Sequence, residues 1–393
     1  MRFVVTKACG GGGRARAGSL YVGCCPTPIE TPCLLLSTRK GLPTFVSPDL
    51  LASLPSPESR LLHVSPLHFL ECPSPRTISN IGGLHRMLGL HECIFVAAPR
   101  DSIESLPESE GTNKLGPSFE TPCGRRLVKP KEYMDMISSL KPNLWASLAD
   151  EVPAWVSEKR NKTSVDRTLR WLDDCLALDL ESGANTLGAI VGGSCVEERK
   201  RCATEVAMRN VSGLEALDLE RVWKSALLCL MQLRMAYRRK SFARYLDSLF
   251  QGVAAGIDLF ESTYIYHLTL GGFALTFPLD IVERDILHSQ LSDTGSDCTK
   301  INLRATVYRK DTTPIVENCS CFTCQNHTRA YINHLLNVHE MLAQILLEIH
   351  NTHHYLAFFH SIRKAIKGGK FDLFHQRFME GRRAYVTSAV GCS

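Results

Sequence analysis

No run of about 18 apolar residues occurs in this chain, so no membrane-spanning helix is expected. The N-terminal stretch, residues 1–13, holds only the brief apolar run Phe3-Val4-Val5, too short for the core of a secretory signal. The glycine run Gly10–Gly13 is followed by neither Lys-Ser/Thr nor a helical pattern. That excludes a phosphate cradle and leaves a flexible loop. Charge of one sign is not in excess either: 45 Lys and Arg face 40 Asp and Glu, for a net charge of +5. Such a balance permits a nucleic-acid partner without requiring one. What is present is a 44% hydrophobic content over 393 residues, enough for one large domain or two ordinary ones. The 16 cysteines are scattered, and Cys175, Cys202 and Cys229 sit in apolar surroundings. Scattered cysteines in a long chain read as small buried hydrophobes in a reducing compartment. A soluble cytoplasmic protein is expected; peripheral association with an organelle surface stays open, without a lipidation motif to support it.

One cysteine cluster breaks that pattern. Cys319, Cys321 and Cys324 form a C-x-C-x-x-C run that can wrap one small ion. Three cysteines within six residues cannot all pair locally, and the context is not that of a small disulfide scaffold. A histidine would complete a tetrahedral set suited to Zn²⁺, with no position left open for chemistry, so one structural zinc is expected. Two histidines compete for the fourth corner: His327 beside the run, and His350 about one helix-length downstream. His353, His354 and His360 crowd the same region and read as surface or packing residues.

Along the chain, residues 1–130 are rich in Pro, Gly and Ser, with short apolar bursts at Phe3–Val5, Cys33–Leu36, Leu61–Val64 and Cys93–Ala98. These read as strands separated by loops, with 102–117 an exposed loop. From Lys129 the texture changes. Helices are expected over Pro130–Leu140, Ser164–Leu180, Val196–Val206 and Leu214–Tyr237. Strands are expected over Leu144–Leu148 and Thr186–Val191, the latter closed by Gly192-Gly193. Alternating strands and helices predict an α/β chain with a parallel sheet, at this length a (β/α)₈ barrel. Beyond the cysteines, apolar residues from Tyr331 to Ile349 predict one helix ending at His350. A second, through Tyr355, Phe358, Phe359, Ile362 and Ile366, is stopped by Gly368-Gly369. Those three aromatics are expected to present an apolar surface. The basic stretch Arg238-Arg239-Lys240 reads as a solvated helix face, and Arg382-Arg383 near the C-terminus are candidate phosphate contacts.

The cysteine run, Arg329-Ala330-Tyr331 and His350-Asn351 together resemble the tRNA-guanine transglycosylase family. Further matches are Gly256–Ser262 (Gly-Ile-Asp-Leu-Phe-Glu-Ser), the looser Leu187–Gly193, Thr163–Arg167 and Ile29–Pro32, so the likeness spans nearly the whole chain. The resemblance implies an irregular (β/α)₈ TIM barrel with an inserted C-terminal zinc-binding subdomain, and it selects His350 over His327 as fourth ligand. It implies the boundaries 1–310 for the barrel, 311–367 for the zinc subdomain with a helical hairpin, and 368–393 for a C-terminal helix or tail. It also implies exchange of guanine for queuine at the wobble position of tRNAs with GUN anticodons, by a catalytic homologue paired with this chain as a heterodimer.

The departures from the pattern favour an accessory, non-catalytic member with no catalytic residues of its own. Active members use an aspartate that attacks the ribose C1′ and forms a covalent tRNA intermediate; Glu261 stands there. One added methylene moves the carboxylate by about an ångström, enough to cost about 100-fold in rate. The Pro-Thr-Arg that follows is Ile265-Tyr266-His267, and the base-reading glutamine is Val191, which has no side-chain hydrogen-bonding group. The motif holding the general base is not legible around Asp101-Ser102, and Asp150 is a lone match to a base-binding aspartate. Two rivals stand against this reading: an active enzyme with Glu261 as nucleophile, and a free-standing zinc-dependent RNA-binding protein. The segment Met208–Val253 fits the family poorly, since its expected strand is hard to find.

Overall fold

A computed structural model describes residues 1–8, 14–23, 25, 27–55, 57–101, 103, 110–121, 124–153, 155–179, 185–216, 228–233, 242–279 and 299–390. The glycine run Gly10–Gly13 lies outside them, as do most of the expected 102–117 loop and the basic stretch Arg238–Lys240. The chain divides into two compact units. One comprises Met1–Thr6, Gly13–Pro43 and Arg60–Thr263; the other comprises Lys7–Gly12, Thr44–Ser59 and Tyr264–Ser393.

The first unit is α/β. Its main sheet is a closed ring of eight strands: β1 (Cys33–Ser37), β2 (Leu61–Val64), β3 (Ile94–Ala97), β4 (Leu144–Ala146), β5 (Thr186–Ile190), β6 (Gly213–Ala216), β7 (Leu228–Leu233) and β8 (Leu259–Ser262). Every neighbouring pair is parallel, and β8 closes on β1 with Glu261 opposite Leu35. The connecting helices include α1 (Pro130–Leu140), α2 (Glu158–Leu178), α3 (Val196–Ala207) and α4 (Phe242–Ala255). Proline opens α1 at its first turn, where the missing N–H is not needed. Ser157 caps α2 by accepting the Arg160 N–H at 3.3 Å.

Side chains alternate across a strand, so every second residue of the ring points inward. Cys33, Leu35, Leu61, Ile94, Val96, Leu144, Ala146, Leu187 and Leu259 belong to one buried apolar cluster. Two residues beyond Leu35, Leu61 and Leu259, the same alternation places Ser37, His63 and Glu261 at the C-terminal ends of their strands. The ring is thus apolar at depth and polar at the end where parallel barrels carry their sites.

The segment Met208–Val253 contains two ring strands, β6 and β7, where the sequence suggested a helix over Leu214–Tyr237. A short apolar run such as Leu228–Leu233 fits a buried strand and a buried helix equally, and the ring decides for the strand.

The second unit holds α5 (Tyr264–Gly271), an antiparallel pair β9 (Phe273–Leu275) and β10 (Lys300–Asn302), then α6 (Phe322–Asn326), α7 (Arg329–Asn337), α8 (Leu342–Lys367) and α9 (Phe371–Val390). A buried cluster that includes Ala274, Leu303, Ile315, Ile332, Leu336, Leu346 and Leu347 ties β9 to α7 and α8. The helix expected to end at His350 is arranged differently. It breaks at residues 338–341, where His339 adopts φ +60°, and α8 then runs unbroken through His350 to Lys367. No Gly or Pro marks that break, and none interrupts the helix at His350, so the pattern carried no signal of either.

The aromatics of α8 also depart from the pattern's expectation. Tyr355, Phe358 and Phe359 are fully buried, not exposed. Tyr355 meets Tyr264 edge-on at 6.3 Å, and Phe358 packs against Phe277, Phe374 and Phe378. Helix α9 supplies the last two rings, so the surface the pattern suggested is internal core of this unit.

Candidate functional site

The second unit gathers the four predicted ligands. Cys321 caps α6, its Sγ accepting the Cys324 N–H at 3.3 Å, so that both sulfurs sit on one turn. Cys319 lies in the loop just before. His350 comes from the middle of α8 and is fully buried; its Nδ1 lies 3.5 Å from Cys321 Sγ and 3.3 Å from Cys324 Sγ. The four donor atoms all fall within 4.8 Å of one another. A tetrahedral zinc with its usual bond lengths has ligand–ligand edges of about 3.6 Å (S to N) and about 3.8 Å (S to S), so the set fits one such ion. All three thiols are free, which removes the disulfide alternative. His327 is not part of the set. Its ring stacks on Tyr331 at 5.2 Å and meets Phe322 edge-on at 5.9 Å.

The electrostatics also suit a cation. Hydrogen bonds with the Cys321 and Cys324 thiols draw the Cys319 thiol below its ordinary range. Burial alone would depress His350, yet its bonds with Cys319 and Cys324 push it up to about 9. Thiolate character thus faces a proton on the imidazole, and a divalent cation would take that proton's place. Among the other histidines, His354 is a buried packing residue whose Nε2 bonds the Phe277 carbonyl at 2.8 Å.

At the mouth of the ring, Glu261 is fully enclosed. Its Oε1 lies 3.2 Å from His63 Nδ1 and accepts from Ser37 Oγ at 3.3 Å. Burial lowers the His63 pKa, so the imidazole is neutral near pH 7 and directs Nδ1–H at the carboxylate. A second imidazole–carboxylate pair lies in the same unit. His68 Nδ1 accepts the Lys40 N–H at 3.2 Å, which leaves Nε2–H facing Asp101 Oδ2 at 2.9 Å. Burial would raise Asp101, but His68 holds it below the usual carboxylate range.

Asp150 is engaged more tightly still. Arg160 grips both its oxygens, at 2.8 and 2.6 Å, and Arg167 adds a third bond at 3.1 Å. No sequence motif hinted at this clamp, although Arg160 and Arg167 lie seven residues apart on α2, two turns along one face. Val191, beyond β5, is buried and presents no polar side-chain atom. The turn after it needs glycine: Gly192 has φ +140°, and a Cβ there would lie 2.7 Å from the Arg199 backbone nitrogen. In the second unit, His267 stands where active members carry arginine, and burial lowers its pKa, so it offers no cation.

The clamp makes a stability prediction. Asp150 has no exposed side-chain surface, so Arg160→Met leaves a buried carboxylate with only Arg167. The expected loss is about 3 kcal/mol, read as a lower urea midpoint. An unchanged midpoint would mean that water already satisfies the carboxylate.

Comparison with known proteins places the chain in a family. A family model described as queuine tRNA-ribosyltransferase matches residues 9–384. The chain is similar to the queuine tRNA-ribosyltransferase accessory subunit 2 of Homo sapiens, 33% identical over 335 residues, covering 75% of this chain and 80% of that protein. The protein of the same description from Trichoplax adhaerens is 30% identical over 388 residues, covering 96% of this chain and all of the relative. That from Drosophila persimilis is 29% identical over 385 residues, covering 93% and 89%.

Proposed function

Because the chain belongs to the queuine tRNA-ribosyltransferase family, we propose that it is the accessory, non-catalytic subunit of that enzyme. It pairs with a catalytic homologue, helps to hold tRNA, and supports the exchange of guanine for queuine at the wobble position of tRNAs with GUN anticodons. The ring of eight parallel strands is read as the family's irregular (β/α)₈ barrel. Residues 311–367 are read as its zinc-binding subdomain, and 368–393 as a C-terminal helix. Cytoplasmic tRNA is the substrate pool assigned to the complex; among the described residues no helix is long and apolar enough to cross a membrane.

One observation carries the non-catalytic reading. The acidic groups at the positions used for chemistry in active relatives are already engaged by this chain's own side chains. Glu261 is held by His63 and Ser37, and Asp150 is held by Arg160 and Arg167. A nucleophile must reach the ribose carbon, and a base-reading carboxylate must present free lone pairs. Asp150 cannot do so without breaking buried pairs, and Glu261 is enclosed with its Oε1 held by His63 and Ser37.

Zinc is assigned to the Cys319, Cys321, Cys324 and His350 set. A bound ion with four protein ligands has no open position, so it supplies fixed geometry and not Lewis-acid chemistry. Cys321 and Cys324 fix the start of α6, and His350 ties that turn to the middle of α8.

The test is guanine exchange on cognate tRNA in three arms: this chain alone, the catalytic homologue alone, and the two mixed. The mixture should exchange, and this chain alone should not. Exchange by this chain alone would overturn the proposal in favour of an enzyme using Glu261. tRNA binding with no effect on the homologue would leave a free-standing RNA-binding protein.

A further inference from the structure

The ligand His350 is oriented by a strand edge. Strand β9 pairs with β10 along one edge: the Gly272 carbonyl accepts the Leu303 N–H, and the Thr276 N–H donates to the Thr299 carbonyl. Backbone groups alternate along a strand, so those of Phe273, Leu275 and Phe277 face the other way. Among the described residues no strand lies there to satisfy them. Side chains of α8 do so instead. Asn351 Oδ1 accepts the Leu275 N–H at 2.8 Å, and Asn351 Nδ2 donates to the Phe273 carbonyl at 3.0 Å. The Leu275 carbonyl, between these two anchor points and the metal centre, lies 2.9 Å from His350 Nε2. A carbonyl only accepts, so Nε2 carries the proton and Nδ1 is left as the donor atom facing the three sulfurs.

We propose that Asn351 is the positioning residue of the metal centre: by fixing β9 at Phe273 and Leu275, it holds the carbonyl that sets the tautomer and ring angle of His350. This fully buried asparagine sets both ends of its amide on one strand directly beside a ligand, with only a longer contact from Nδ2 to Thr269 Oγ1 at 3.5 Å elsewhere. An asparagine fits because the strand offers one acceptor and one donor two residues apart, and only an amide presents the matching pair on one short side chain. Partners that fix a ligating imidazole through its second nitrogen typically change metal affinity by about 10–100-fold when removed.

The inference rests on the zinc reading above, and the experiment separates the two. The full chain is prepared free of metal, then titrated with Zn²⁺ against a chromophoric chelator and with Co²⁺ for its visible and thiolate charge-transfer bands. The variants are Asn351→Ala and, as a control, Asn333→Ala. Asn333 is an equally buried amide on α7 that donates to the Leu303 and Ala305 carbonyls, away from the ligands. Asn351→Ala should bind Zn²⁺ about 10–100-fold more weakly than wild type and give altered Co²⁺ bands. Asn333→Ala should keep wild-type affinity and bands, even where it lowers the melting temperature. Should Asn351→Ala fail to fold, Asn351→Asp gives the same comparison, since it keeps the acceptor for Leu275 N–H but sets an oxygen against the Phe273 carbonyl. Failure of the wild-type chain to bind either metal would sink the zinc reading itself. Wild-type binding with unchanged affinity and bands in the Asn351 variant, or equal losses in both variants, would overturn the positioning role alone.

Discussion

Replacing Cys321 and Cys324 together by serine should empty the metal centre and abolish co-sedimentation with the catalytic homologue, while the eight-stranded ring stays folded. Two of the four ligands would be lost, leaving Cys319 and His350, too few for tetrahedral capture. Binding free energy at a structural zinc is folding free energy, about 10–16 kcal/mol in isolated zinc-finger peptides at neutral pH. That energy acts on α6 and on its tie to α8, not on the ring strands, which belong to the other compact unit. The family resemblance implies that the zinc subdomain lies close to the dimer interface. Here the knuckle and the elements after it expose Phe322, Tyr331, Val338 and Met341, at 45, 39, 50 and 65%. Exposed aromatic and apolar side chains are the kind that dominate interface energy, and a loosened knuckle would no longer present them in one arrangement. Metal analysis and co-sedimentation at matched concentration check both halves. Full zinc retention would contradict the ligand assignment, and undiminished pairing without zinc would reduce the ion to a local staple.

The second large effect is a contrast between subunits. Glu261→Gln in this chain should leave exchange by the complex unchanged, whereas loss of the nucleophilic aspartate in the catalytic homologue should bring it to background. The substitution is well tolerated in physical terms. The neutral His63 donates Nδ1–H and Ser37 donates its hydroxyl, and a glutamine carbonyl accepts both as a carboxylate oxygen does. A fall in activity therefore cannot be blamed on an unfolded chain if the melting temperature holds.

The metal centre was legible because ligand chemistry restricts both residue type and spacing. Three thiols in C-x-C-x-x-C have few other uses in a chain of this kind, and the family likeness then chose His350 over His327. The ring strands near the N-terminus were legible as apolar bursts between turn residues: Cys33–Leu36 and Leu61–Val64 fall directly on β1 and β2. Strands β6 and β7 were not, because short apolar runs carry no period that separates strand from helix. The break before α8 was hidden for a different reason. His339 takes a left-handed backbone that glycine or asparagine would have announced, and histidine does not. The exposure of Tyr355, Phe358 and Phe359 was misjudged because a helical stripe reveals a face but not whether another helix covers it. Here α9 does, through Phe374 and Phe378. The partners of Asp150 and of the Leu275 peptide were out of reach, since each depends on which backbone and side-chain groups meet in space. Sequence named the carboxylate; only the fold supplied the two arginines that occupy it.

The central claim, that this subunit carries no nucleophile, is tested most directly by asking which chain becomes covalently joined to tRNA. Cognate tRNA is incubated with the mixed subunits and the products are separated on a denaturing gel that resolves the two proteins. The account predicts a tRNA adduct on the catalytic homologue only, and none on this chain whether alone or in the mixture. An adduct on this chain that disappears in Glu261→Gln would contradict it.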